Sequence, residues 1–77
     1  MMNVKVLGGG CAKCETLLEN TKQAIADLGI EASVEYITDF AFIASYGIMR
    51  TPALMKEDKV ISMGKVLKSE EIAKLLK

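Results

Sequence analysis

The chain has no tryptophan, no histidine, a single proline and only two cysteines. It also lacks net charge, because ten Lys and Arg balance ten Asp and Glu spread along the sequence. That evenness excludes a basic patch for nucleic acid and a membrane-binding face. No apolar run approaches the roughly 18 residues of a membrane span. No basic segment followed by a long apolar stretch opens the chain, so no signal peptide is expected. Two thiols without histidine leave a tetrahedral zinc site short of ligands unless a second chain or outside ligands complete it. With no third cysteine, no bridge can tie distant segments together. There is no internal repeat, linker or low-complexity segment.

What remains is one small globular domain, residues 1–77, at 51% hydrophobic and 26% charged. A domain of this size buries only about 60% of its unfolded surface, which makes a disulfide staple worth considering. The two cysteines are too close in sequence to serve well as one. Closing a four-residue loop gives about 2 kcal/mol in the chain-entropy model, and a bridge between distant segments roughly twice that. A reducing, cytoplasmic setting is the expectation, and there a CxxC pair is more often redox-active or metal-binding than structural.

Cys11 and Cys14 sit where a β-prone run hands over to a helical one. A thiol at a helix start meets the positive end of the macrodipole and unpaired backbone N–H groups, and both favour the thiolate. A second thiol one turn on can attack any mixed disulfide formed by the first. The apolar stripe Leu28, Ile25, Ala24, Leu18 and Leu17 extends back through Thr21 to Cys14, which predicts a buried Cys14 and a Cys11 at the helix tip. Gly8-Gly9-Gly10 either turns the chain sharply and keeps bulk away from Cys11, or is a flexible loop.

The rest reads as follows. Val4–Leu7 is a first strand and the helix runs from Cys11 or Ala12 to Leu28, with Gly29 after it. Ala32–Ile37 is a second strand. Thr38 or Asp39 caps a short helix ending near Tyr46, with Phe40, Ile43 and Ala44 on its core side. Pro52 leads into a strand over residues 53–56, Glu57-Asp58-Lys59 makes a hairpin turn that lacks the usual glycine, and Val60–Met63 returns. Ser69 caps a last helix with Glu70 and Glu71 in its first turn, Lys74 and Lys77 in its last, and Ile72, Leu75 and Leu76 inward. The order βαβαββα predicts an α/β fold: a four-stranded mixed sheet with helices on both faces.

Three features in this order carry a resemblance: Cys11-Ala12-Lys13-Cys14 after the first strand, Thr51-Pro52 opening the third, and Gly64 after the fourth before a short helix. With them the whole chain resembles the thioredoxin/glutaredoxin superfamily. More narrowly, it is similar to the small archaeal and bacterial thioredoxin-like redox-active disulfide proteins. The resemblance implies a thioredoxin-like fold and a cis Thr51–Pro52 bond facing the sulfurs, with Thr51 offering backbone groups to an extended substrate. An ordinary strand-edge proline is the plain alternative. Some residues depart from the family pattern. Gly10 stands where many thioredoxins have tryptophan. Lys5 stands at the spacing of the family's buried aspartate, leaving proton delivery to Cys14 to water or another route. Lys65-Val66-Leu67 follows Gly64 where glutaredoxins carry Gly-Gly and an acidic residue that helps bind glutathione.

Two functions compete. In the first, a protein-disulfide oxidoreductase, Cys11 is the nucleophile and Cys14 the resolving thiol, and the pair cycles through a Cys11–Cys14 disulfide. Lys13 either stabilises the Cys11 thiolate or is a solvated helix lysine. Ala12, Met49, Thr51 and Pro52 meet substrate. Ile48 and Met49 belong either to the same apolar rim or to the core. No cofactor and no metal are expected; the partners are disulfide-containing proteins and a thioredoxin-reductase-like recycling enzyme, and the chain is a monomer that binds no nucleic acid or membrane. The second is a ferredoxin-like carrier holding Cu(I) or Zn on the two thiolates. Against it, such carriers place another strand before the second helix and usually a methionine where Gly9 stands.

Overall fold

The computed structural model describes residues 2–10 and 12–76. Its organising element is the strand β1 (Met2–Leu7), in which Val4, Lys5, Val6 and Leu7 are all buried. Four consecutive buried positions mean that both faces of the strand are covered, since neighbouring side chains point to opposite sides. The elements that follow are α1 (Ala12–Leu28), β2 (Ala32–Ile37), α2 (Phe40–Ser45), β3 (Ala53–Lys56), β4 (Lys59–Met63) and α3 (Ser69–Leu76). The sheet order is β2-β1-β3-β4. β1 runs parallel to β2, from Met2 opposite Ala32 to Leu7 opposite Ile37, and antiparallel to β3, from Val4 opposite Lys56 to Leu7 opposite Ala53. β3 and β4 form an antiparallel hairpin with an irregularity between Leu54 and Met55. The mixed four-stranded sheet with flanking helices is the one expected.

Two apolar clusters lie on its two faces. Val4, Val6 and Leu54 pack with Leu17 and Ala24 of α1 and with Ile72 and Leu76 of α3. Leu7, Ala53 and Met55 pack with Ile43 of α2 and with Ile48. On α1 the buried residues are Cys14, Leu17, Thr21 and Ala24, one narrow stripe at three- and four-residue steps. Thr21 is tolerated in it because its hydroxyl donates to the Leu17 carbonyl at 2.7 Å. Asn20 donates to the Leu67 carbonyl at 2.9 Å and so ties α1 to the segment entering α3.

Several details differ from the expectation. Asp39 does cap α2, accepting from the Ala41 N–H at 2.9 Å. Phe40 and Ala44, however, are exposed, and the inward residue is Ile43, with Phe42 packed against Tyr46 at 4.9 Å between ring centroids, the rings tilted by 52°. Six residues are too short a helix to define a face by periodicity. Ser69 is the first helical residue of α3 rather than its cap. The Ile72 N–H donates to the Lys68 carbonyl, and the Lys68 N–H donates to the Glu71 carboxylate at 3.2 Å, half of a capping box built on Lys68. Leu75 is 42% exposed while Ile72 and Leu76 are buried. Lys77 lies outside the described residues. Among the described residues no helix is long and apolar enough to cross a membrane.

The hairpin turn shows how a sequence without turn glycine makes a tight turn. Glu57 and Asp58 both have positive φ, 50° and 66°, the left-handed region that non-glycine residues enter only when held there. Both are held by β1. The Glu57 N–H donates to the Asn3 carbonyl at 2.8 Å, and the Asn3 N–H donates to the Glu57 carboxylate at 3.0 Å. Asp58 accepts from the buried Lys5 ammonium at 3.1 Å. That hydrogen bond raises the Lys5 pKa above its ordinary value of 10.5; desolvation opposes the rise and the charge of Asp58 adds to it. A raised lysine pKa stabilises the fold in full below the unfolded value of 10.5 and ceases to do so as pH climbs through the folded value. Asp58 is 71% exposed, so the pair contributes under about 1 kcal/mol. Asp58→Asn, which keeps a residue suited to positive φ, should lower stability in urea unfolding by that amount at pH 8. The gap between the two proteins should close at pH values above the folded Lys5 pKa; a gap that stays constant with pH would remove Lys5 from the account.

Candidate functional site

The site lies at the end of the sheet opposite the hairpin turn, where β1 leaves its ladder. Beyond Leu7, the Gly8 N–H donates to the Ile37 carbonyl at 2.9 Å, which extends the pairing with β2 by one residue. Gly8 is buried, and Cys14, in the first turn of α1, is fully buried. The two are in direct contact. A Cβ built on Gly8 would fall on the Cys14 sulfur and within 2.8 Å of the Cys14 Cβ. Only glycine lets the first turn of α1 come down this far onto the end of β1. Within the glycine run it is Gly8 that clears the space taken by Cys14. Gly10, at φ +81°, then bends the chain toward the helix. Cys11 lies outside the described residues.

Register brings the proline segment to the same place. Leu7 pairs with Ala53, so one further step along the antiparallel ladder sets Gly8 level with Pro52. Pro52 is buried, Thr51 is exposed and the bond between them is cis. The Pro52 carbonyl accepts from the Gly64 N–H at 2.9 Å, which joins the entry of β3 to the exit of β4. The stem of Arg50 lies along Gly64, where a Cβ would meet the Arg50 Cβ and Cδ at 3.1 Å. Three separated stretches of sequence thus converge: the glycine loop with the start of α1, the Thr51–Pro52 segment and Gly64.

The remaining residues named from the sequence divide. Ala12 and Lys13 are exposed on the first turn of α1, and Met49 is 91% exposed beside Arg50. Ile48 is not on that rim. It is 7% exposed and packs with Leu7, Ile43 and Met55 in the second cluster. Lys5, at the spacing of the family's buried aspartate, carries its ammonium away from the site to Asp58 at the hairpin end. Two neighbours of the site were not singled out by sequence. One is Arg50; the other is Phe40, read as core but 68% exposed, with its ring against Gly9. The exposed cations Lys13, Arg50 and Lys65 stand on or next to the converging segments, while the Asp39 carboxylate is engaged as the α2 cap. A shallow groove of about 590 Å³ runs from Ala12 along Glu15 and Glu19 of α1 to Tyr36 of β2. Among the described residues no group of three or more His, Cys, Asp or Glu is placed to hold a metal.

A β2-β1-β3-β4 sheet with α1 and α3 on one face and α2 on the other, a cysteine-bearing helix start at the end of β1 and a proline at the entry to β3 define the thioredoxin-like class. The chain belongs to the thioredoxin family: the family model described as thioredoxin domain matches residues 2–77. A thioredoxin of Methanothermobacter thermautotrophicus is 37% identical over 76 residues, 99% of each chain. A thioredoxin of Methanocaldococcus jannaschii is 36% identical over 77 residues, all of this chain and 88% of the relative.

The Gly8–Cys14 contact is directly testable. Gly8→Ala should cost about 1–3 kcal/mol in urea unfolding, the range for inserting a methyl into a filled space. Because the sulfur is the nearest obstruction, Cys14→Ala on that background should recover part of the loss. An identical loss in the presence and absence of the sulfur would place the strain elsewhere.

Proposed function

We propose that the chain is a thiol–disulfide oxidoreductase that reduces protein disulfides with the Cys11–Cys14 pair. The Cys11 thiolate attacks one sulfur of the substrate disulfide. A mixed disulfide forms and the other substrate sulfur leaves as a thiolate that takes up a proton. Cys14 then gives up its proton and attacks the Cys11 sulfur. The second substrate thiol is released; the substrate has gained two electrons and two protons, and the protein, having given them up, is left as the Cys11–Cys14 disulfide. A dithiol reductase returns them. Nothing in this cycle requires a bound cofactor or metal.

The observation that supports this reading best is the Cys14 sulfur, fully buried against Gly8 at the level of Pro52. Such a sulfur is shielded from outside disulfides and is suited to a partner delivered by its own chain, which is the task of a resolving thiol. The helix start and the nearby Lys13 favour a thiolate at position 11. The family membership and the thioredoxin names of both relatives point the same way. Ala12, Met49 and Thr51 form the substrate-contacting rim around Pro52. The carrier reading has less behind it, because α2 and not a strand follows β2.

Cys14→Ser should accumulate a stable mixed disulfide with insulin chains, and Cys11→Ser should form none. At limiting iodoacetamide and neutral pH, position 11 should be alkylated before position 14. Insulin reduction driven by dithiothreitol should vanish in Cys11→Ser. Peptide mapping that finds Cys14 modified first, or an adduct carried only by Cys14, would exchange the two roles. Turnover coupled to glutathione should be poor compared with turnover coupled to dithiols, because Lys65 and Val66 stand where an acidic residue would help hold glutathione. Stoichiometric zinc or copper surviving dialysis after anaerobic purification would favour the carrier.

A further inference from the structure

One aromatic ring stands at the redox loop without joining the core. Phe40 is the first residue of α2 and is 68% exposed, the one exposed ring among the described residues. Its neighbours Phe42 and Ile43 pack against the second cluster, so the helix does not need Phe40 for its own docking. The ring reaches past the end of the sheet to Gly9: its Cζ lies 3.0 Å, and its Cε1 3.6 Å, from where a Cβ on Gly9 would be. Gly9 is two residues before Cys11 in the chain. The backbone on both sides of this contact is fixed, by the Gly8 N–H to the Ile37 carbonyl at 2.9 Å and by the Asp39 cap on the Ala41 N–H at 2.9 Å. The ring therefore starts from a backbone fixed beside the loop. An aromatic side chain there offers a large, rigid contact area at low entropic loss.

The geometry points to Phe40 as a specificity-determining residue: an apolar shelf beside the glycine loop at Gly9 that receives an apolar side chain flanking the disulfide of a protein substrate. This rests on the oxidoreductase reading above. It adds a selectivity that the dithiol chemistry alone does not have, since thiol exchange at sulfur is indifferent to the residue beside the substrate cysteine. Met49, 91% exposed next to Arg50 and Thr51, lies on the proline segment, so a bound peptide meets apolar surface from two separate loops. Glycine at position 9 lets the ring lie this close without adjustment; a Cβ there would make the ring give by a few tenths of an ångström.

The test uses the full chain and two model peptides with an internal disulfide, identical except for Leu or Ser next to the attacked cysteine, with dithiothreitol as reductant. The wild type should reduce the Leu peptide with a kcat/KM about tenfold higher, the size of discrimination available to one apolar contact. In Phe40→Ala the ratio should fall to about one, through a higher KM for the Leu peptide. Phe40→Leu should keep a preference between the two. Circular dichroism confirms that each variant is folded. An unchanged ratio in Phe40→Ala overturns the proposal, as does a wild type with no preference. A parallel fall for both peptides also overturns it, by making the ring a support for the loop rather than a contact for substrate. A wild type that reduces neither peptide overturns the oxidoreductase reading itself, and this one with it.

Discussion

The contact between Gly8 and the Cys14 sulfur fixes the relation on which the rest of the site depends. It sets how closely the first turn of α1 approaches the end of β1. Because β1 is the central strand, paired with β2 on one side and β3 on the other, that approach also sets the position of α1 relative to the Thr51–Pro52 segment. The stripe Cys14, Leu17, Thr21 and Ala24 continues the same line of contact down the sheet. A cysteine in the core is otherwise unremarkable, since a buried thiol packs as a small hydrophobe. Here its burial comes at the edge of the core, where the chain opens toward solvent at Ala12 and Lys13.

The two faces of the sheet divide the labour. The face covered by α1 and α3 carries the larger apolar cluster and the cysteine-bearing helix, while the face covered by α2 is thinner and contains the buried Lys5. A lysine on a central strand is tolerated because its stem can run under apolar neighbours while its ammonium reaches a carboxylate at the margin. Asp58 is that carboxylate, and the same contact helps to hold a turn whose residues would not choose positive φ on their own.

Much of this was legible in the sequence. The βαβαββα order followed from hydrophobic periods, Gly29, Asp39 and the strand lengths, and the burial of Cys14 followed from the α1 stripe. Less legible was whatever depends on a distant partner. β1 begins at Met2 rather than Val4 because Met2 and Asn3 pair with Ala32 and Ser33 of β2, and Asn3 also exchanges hydrogen bonds with Glu57, a residue far along the chain. Phe40 and Leu75 were misplaced, and Ile48 was left between rim and core, because apolar character alone does not say on which side of a short helix or loop a residue falls. At the site, the sequence identified the segments that meet but not how close they come. The nearness of Gly8 to Cys14, and of Phe40 to Gly9, is a property of helix placement that no local pattern encodes.

The two ends of the sheet are fastened by different kinds of bond. At the hairpin end, the main-chain bond from Glu57 to Asn3 is joined by a carboxylate on a backbone amide and an ion pair at a largely exposed aspartate. At the site end, the fasteners are main-chain bonds, from Gly8 to Ile37 and from Gly64 to Pro52, with no charged participant. Dissolved electrolyte weakens the charged bonds and leaves the main-chain bonds nearly untouched. Added salt therefore weakens the fastening at the hairpin end, and the alignment of the Cys14 sulfur with the proline segment is insulated from it.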